Sequence, residues 1–525
     1  MIRTRRRMKN LWTEIGKPGL MIGLCLLWVL TVPRMAHPAG QPSLTVCIET
    51  DIDSFDPTGH RSRVTQLVLR NIFESLTARD DKLDVVPELA SSWELIDPVT
   101  WEFSLKKGVV FHNGDEFTAK DVKFTFDRVL GARGMGGLTS PRRDLFSSIG
   151  SVEIVDPYTI RFHTRHPWAI LPKMLSLQEI VPRKYMEAVG GEAFNREPVG
   201  TGPFRLESFP SGDRIMLSRF QDHRGFKRLT EAECQGLIER LVFEVVPLPI
   251  DRIAKLKSGR AQLIFNVPPS AVGILETTPG IQVVSTRATR SHFAEINCAK
   301  PPFGDARLRR ALNLAVDMPA VVDNVLLGRG QILSTILQSN SFGYNDFLKP
   351  YPFDPASARK LIESSGYPPK RPLIIQGHVS YLELGNALVL FYTKAGLKAS
   401  LQATDLYRPD TLGPGAPWDL YIGSWGNSTQ DPEGIIPPKL ATHGRGNFSG
   451  YSNGQVDRLV ALAEDTTDSS LRADYYRRIQ EIVYEDAPMV FGYASDEIYA
   501  LNKRISGFNP SPTGIFRLDN LRLSP

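Results

Sequence analysis

Two short stretches of this chain carry residue types suited to holding a small molecule. In Trp425-Gly-Asn-Ser428 an indole, a flexible glycine and two small polar groups end an apolar run. Ligand pockets are mostly apolar with a few placed polar groups, and this set can supply both; a core tryptophan gives the same pattern. In Val199-Gly-Thr-Gly-Pro-Phe204 two glycines bracket a hydroxyl. That leaves backbone amides able to meet a ligand's oxygens, or it makes a tight turn between domains. Bond-making chemistry is not signalled. There is no G-x-S-x-G elbow, no H-E-x-x-H and no Walker A sequence, and Gly134-Met-Gly-Gly137 lacks the Lys-Ser/Thr that grips phosphate. The nine histidines show no i, i+4 pairing, and with 57 acids in the chain Asp51 and Asp53 are no evidence of an acid/base dyad. Cysteine offers no zinc spacing either. Cys25 lies in the N-terminal segment, so Cys47, Cys234 and Cys298 remain, enough for one disulfide at most.

The elements that must position such residues belong to a large globular body. At 525 residues, 42% hydrophobic and 23% charged, the chain is long enough for two or more domains with full cores, and disorder is excluded. Its net charge of +5 is local. Residues 1–40 hold seven basic residues and one acid, which leaves the rest close to neutral and argues against nucleic acid as a partner. That basic segment runs into Leu20–Val32, thirteen mostly apolar residues. Thirteen is short for a bilayer span of about 20 residues but fits the apolar region of a signal peptide. The expectation is a signal peptide over 1–40 and an exported, non-spanning mature chain that starts shortly before Ser43.

Strand and helix signals alternate along the body, as in a mixed α/β fold. Thr100–Leu105 reads as a strand buried on one face. Val152–Val155 and Thr159–Phe162 flank the turn pair Asp156-Pro157 as a hairpin. Thr118 with Asp121 opens a helix whose stripe is Val122, Phe126, Val129 and Leu130. Asp305 and Asp354-Pro355 start two more helices, and Gly366 closes the second. Leu373–Gln376, a helix over 382–395 and Leu397–Gln402 read as a βαβ unit. Asp419–Ser424 is a further strand with Trp425 at its carboxyl end, where α/β sheets place ligands. Ser470–Glu485 is a long helix with Leu471, Tyr475, Ile479 and Ile482 along one side.

Several segments in order resemble the family 5 (cluster C) solute-binding proteins of bacterial ABC importers, the dipeptide-, oligopeptide- and nickel-binding group. Pro87-Glu-Leu-Ala-Ser-Ser-Trp-Glu94, Leu105-Lys-Lys-Gly-Val-Val-Phe-His-Asn-Gly114 and Phe117-Thr-Ala-Lys-Asp-Val122 are similar to its landmarks. So are Val199–Phe204, Asp305–Leu312, Phe353–Arg359 and Gly450-Tyr-Ser-Asn453. The resemblance runs from about residue 43 to the C-terminus. It implies a periplasmic-binding-protein-like α/β fold of two lobes and a hinge, with an extra domain inserted. The lobes would be 43–80 with 196–288 and 499–525, and 289–498. The insert would be 81–195, with hinge strands near His292–Asn297 and Phe491–Ala500. It also implies a monomeric periplasmic protein that delivers a small solute, foremost a peptide, to an inner-membrane permease, with no cofactor, no metal and no catalysis. A secreted hydrolase or a chaperone-like module would be the rival classes.

The pocket implied by the resemblance has Trp425 as one wall with Asn427 and Ser428 below it. Thr201, Gly202 and the Asp53-Ser54-Phe55 turn face it from the other lobe, with Asp431 close by. The chain departs from the peptide binders here. Their ammonium-pairing aspartate, three residues after the tryptophan, is replaced by Ser428. Their carboxylate-binding arginine has no counterpart in Thr411-Leu-Gly-Pro-Gly415, where Arg408 is the nearest base. An unpaired buried ammonium costs several kcal/mol. A sugar or other hydroxyl-rich solute is therefore the alternative to a peptide. A nickel chelate comes last, because the pocket segments hold no histidine.

Overall fold

In the computed structural model the described residues are 42–524, apart from 210–212, 369, 406–411 and 414. The proposed signal peptide with Cys25, and Arg408 and Thr411, lie outside them. None of the helices among the described residues is long and apolar enough to cross a membrane.

One sheet of eleven strands runs through most of the body. Its order is Lys398–Thr404, Pro372–His378, Leu420–Gly426, Ile281–Ile296, Met489–Asn502, Leu263–Ile264, Ser43–Ile48, Arg240–Val245, Arg214–Arg219 and Phe204–Ser208, with Gly330–Ile332 paired to Met489–Asn502. Two of these strands are far longer than the usual five or six residues. Ile281–Ile296 and Met489–Asn502 lie antiparallel along most of their length. Their first stretch, Ile281–Arg287 against Asn502–Asp496, neighbours the core built on Leu44, Val46, Phe204 and Phe243. Their second stretch, Ser291–Glu295 against Ala494–Met489, carries the strand Leu420–Gly426 and the core of Leu308, Leu312, Leu373 and Ile422. Register shifts fall between Arg287 and Ser291 and between His292 and Phe293. Such bulges bend and twist a strand, so this is where the sheet turns from one core to the other.

A separate four-stranded antiparallel sheet, in the order Ala90–Asp97, Thr100–Leu105, Thr159–Thr164 and Ile149–Asp156, builds its own core with Phe103, Phe126, Phe162 and Trp168. The helix Ala119–Leu130 covers it and opens with the expected capping box of Thr118 and Asp121. The βαβ unit is present as two parallel strands, Pro372–His378 and Lys398–Thr404, joined through the helix Leu382–Lys394.

The long C-terminal helix, Ser469–Asp486, differs from its sequence reading in the face it buries. Leu471 is 47% exposed and Tyr475 and Ile482 are half-buried, whereas Arg472, Ala473, Tyr476, Ile479, Gln480 and Val483 face inward. The stripe is rotated because Arg472 is drawn in by Asp431, to which it donates two hydrogen bonds of 2.9 and 3.2 Å. An apolar-only stripe misses a helix face that contains a paired charge. Cys47, Cys234 and Cys298 are all free, and burial raises the Cys47 and Cys298 thiols to about 11.

The rotated face makes a direct prediction. Ile479→Ala should cost about 2–5 kcal/mol of unfolding free energy as a fully buried truncation, and Leu471→Ser should stay within about 0.5 kcal/mol as a surface change. Urea titrations check both; similar losses at the two positions would contradict the assignment.

Candidate ligand site

Trp425 is fixed from several directions. The strand register sets it opposite Ser291, its Nε1 donates to the Gly434 carbonyl at 2.9 Å, and its six-membered ring lies against Gly446. A Cβ on Gly446 would come 2.6 Å from the ring, so only glycine fits there. Lys439 Nζ and the Arg445 guanidinium lie 5.4 and 4.7 Å from the ring centroid, within cation–π range. Lys439 is itself buried and paired with Glu295 at 2.5 Å. Arg445, by contrast, is exposed and has no ion pair or hydrogen bond among the described residues.

The loop that follows builds a cleft of about 840 Å³. One wall is Trp425, Gly426, Asn427 and Ser428 with Glu433, His443 and Glu464. The other comes from the four-stranded domain through Leu145, Trp168, Met174 and Leu177. Ser428 is half-buried on this wall. Asn427 reaches the cleft, yet its side chain is 94% buried and its Oδ1 accepts from Thr429 Oγ1 at 3.3 Å. Its backbone amide donates to Thr289 O at 2.8 Å, which ties the loop to the long strand. Asp431 lies behind the wall. Both of its oxygens are taken by Arg472, and Oδ1 also accepts the Glu433 amide at 3.1 Å. It holds the loop in shape and has little capacity left for a ligand.

The two walls meet at Glu433, whose Oε1 accepts from Trp168 Nε1 at 2.5 Å across the cleft. Its other oxygen lies 3.5 Å from Arg472. Burial first, then the Asp431 charge, raises this carboxyl from its ordinary 4.5 to about 8, against the pull of Trp168 and Arg472. Near neutral pH it is thus largely protonated, an uncommon state for a carboxyl.

The remaining expected residues are not brought to Trp425. Asp53, Ser54 and Phe55 line a different cavity of about 780 Å³. There Asn195 accepts from the Ser54 hydroxyl at 2.8 Å and the Phe55 amide at 2.6 Å. The glycine turn is folded into the protein. Gly200 N donates to His112 Nδ1 at 3.2 Å, Gly202 N donates to Ile72 O at 2.9 Å, and His112 Nε2 meets Gly202 O at 2.9 Å. Burial lowers His112 to about 4, so it is neutral and can accept at one nitrogen while donating at the other. A Cβ on Gly200 would sit 2.1 Å from Ile72 O, and Thr201 is 1% exposed. The glycines serve close backbone packing. Of the residues expected to face the tryptophan, Thr201 and Gly202 are thus packed inside and Asp53–Phe55 line the other cavity. Trp168, Glu433, Arg445 and His443 were missed, since three of the four stand outside the quoted stretches and Glu433 only follows Asp431-Pro432. Among the described residues no group of three or more His, Cys, Asp or Glu is arranged to hold a metal ion.

Such a body, with long strands common to two cores and a cleft against a further domain, is that of a bacterial solute-binding protein. The sequence profile of Bacterial extracellular solute-binding proteins, family 5 Middle, matches residues 84–447, and the chain belongs to that family. It is 24% identical over 520 residues to the glutathione-binding protein GsiB of Shigella dysenteriae, covering 95% of this chain and 98% of that one. It is 27% identical over 460 residues to heme-binding protein A of Haemophilus influenzae, covering 82% and 83%. Among solved structures, the periplasmic binding protein DppA of Helicobacter pylori, in complex with the peptide STSA, shares the fold with a TM-score of 0.79 and 23% identity, covering 92% and 98%.

Glu433 gives the site a pH signature. A state that exposes this carboxyl to water titrates it near 4.5, so between there and about 8 the folded arrangement holds the extra proton. Stability is then highest below that window, falls as pH rises through it and levels off above it. Calorimetry from pH 5 to 8.5 should show the melting temperature of the wild-type chain falling relative to Glu433→Gln. Parallel pH profiles would contradict the raised value.

Proposed function

We propose that this protein captures a peptide or peptide-like solute in the Trp425 cleft and delivers it, without turnover, to the permease of a bacterial ABC importer. The observation that carries the reading is the cleft itself. Its volume of about 840 Å³ suits a small solute, a rigid aromatic face forms one wall, and a second domain covers the other. Glu464 and Arg445, the latter unpaired among the described residues, line the cleft with side chains of opposite sign, as a zwitterionic solute needs. Relatives named for glutathione and structures holding peptides support the same class.

The proposal includes export on a signal peptide over 1–40, action in the periplasm and a monomeric state. It also includes two lobes, 43–80 with 196–288 and 499–525, and 289–498, around the insert 81–195. Closure would bend the two long strands at the bulge between Arg287 and Ser291. Differential affinity for the closed form is what turns binding into a signal to the permease. A hydroxyl-rich solute is the second reading, favoured by Ser428 standing where the peptide binders carry an acid. Nickel chelates stay last, although His443 lines the cleft.

A thermal-shift screen over di- to tetrapeptides, sugars and Ni(II)-histidine tests this. A ligand at 100 times its Kd adds about 2.7 kcal/mol of stability, and Trp425→Ala should weaken its binding by about 2–4 kcal/mol. Ser428→Asp should strengthen binding of free-amine peptides and weaken that of neutral solutes. Stabilisation by sugars alone would overturn the peptide reading, and steady product release from any bound compound would overturn the non-catalytic one.

A further inference from the structure

A third cavity, of about 690 Å³ and partly open to solvent, lies away from Trp425. It is bounded by Gln66 and Arg70, by the turn after the short strand Thr77–Arg79, and by the C-terminal segment around Phe508–Leu521. Its charges are almost all committed to one another. Arg70 donates to both oxygens of Glu88 at 2.9 and 3.0 Å. Arg517 is held by Asp519 at 2.5 Å and Glu74 at 3.1 Å. Asp80 closes its own turn, with Oδ1 accepting the Lys82 and Asp84 amides at 2.9 Å each.

Arg79 and Asp81 are the exceptions: Asp81 is exposed to water, whereas Arg79 is partly buried. Arg79 lines the cavity, its Nη1 is buried with no hydrogen-bond partner, and no ion pair reaches it among the described residues. Burial and the neighbouring Arg70 lower its pKa to about 10, with no carboxylate among the charges acting on it. A guanidinium taken out of water without a counter-charge is expensive, and its planar fork suits two oxygens of one oxyanion. Hydroxyls of Ser511 and Thr513, 2.9 Å apart, add polar groups to the same wall.

We propose that this cavity is an oxyanion site, in which Arg79 binds a small carboxylate, phosphate or sulfate independently of the solute at Trp425. The cavity and the cleft share only Leu177 in their linings. The bound anion would pair with the Arg79 guanidinium at the junction between the four-stranded domain and the C-terminal segment.

Scanning fluorimetry at constant ionic strength tests this, with acetate, citrate, phosphate and sulfate each compared against chloride. At least one oxyanion should raise the wild-type melting temperature by about 2 °C or more with saturable dependence. The organic and inorganic arms tell a carboxylate site from a phosphate or sulfate site. Arg79→Gln should lose the response and be no less stable than the wild type in chloride. Arg79→Lys, which keeps the charge without the fork, should retain a weaker response and guards against a misfolded glutamine variant. Trp425→Ala should respond as the wild type does. Equal responses in the wild type and Arg79→Gln, or no response to any of the four, would overturn the proposal, as would a response lost in Trp425→Ala.

Discussion

Everything in this molecule hangs on the pairing of Ile281–Ile296 with Met489–Asn502. These two strands are the backbone common to both large cores, and a change in their register would move the cores as well as the strands. Register in a half-buried sheet is strongly specified, because a slip of one residue turns every side chain to the opposite face. Here it also places the site. Ser291 fixes Trp425 opposite it, and Thr289, within the bulge, receives the Asn427 amide. The tryptophan of the cleft therefore stands one strand away from the place where the sheet bends.

The loop after Trp425 is held by buried charge pairs as well as by the apolar packing of Ile435 and Ile436. Asp431 with Arg472 and Glu295 with Lys439 are buried pairs whose partners satisfy each other and nearby backbone groups. Such pairs contribute little net stability against an apolar replacement, but losing one partner strands a buried charge. Their effect is to hold one loop geometry. Glu433 differs from these pairs, because burial and then the nearby Asp431 charge disfavour its ionisation at the contact with Trp168. Pairing there joins the two walls of the cleft through a single hydrogen bond.

Much of the fold was legible in the sequence because local signals and tertiary demands agree. The capping box at Thr118, the N-caps Asp305 and Asp354 and the βαβ run around residues 372–404 all fold as their residue types suggest. The site was half legible. Trp425 and Ser428 could be found because they end a strand, whereas Trp168 and Arg445 come from distant segments and carry no local pattern. Glycine misled at Val199–Phe204. The feature that suggests free amides, the absence of side chains, here allows backbone to pack against Ile72. The helix Ser469–Asp486 misled for a related reason, since Arg472 is buried by its partner and not by its own polarity.

The central claim is that the solute lies against Trp425, between that loop and the four-stranded domain. A crystal structure of the protein purified after exposure to a casein peptone tests this directly. The account predicts solute density stacked on the Trp425 indole, within reach of Ser428 and Arg445. Density confined to the cavity beside Asp53, Ser54 and Phe55, with the Trp425 cleft holding solvent alone, would contradict it.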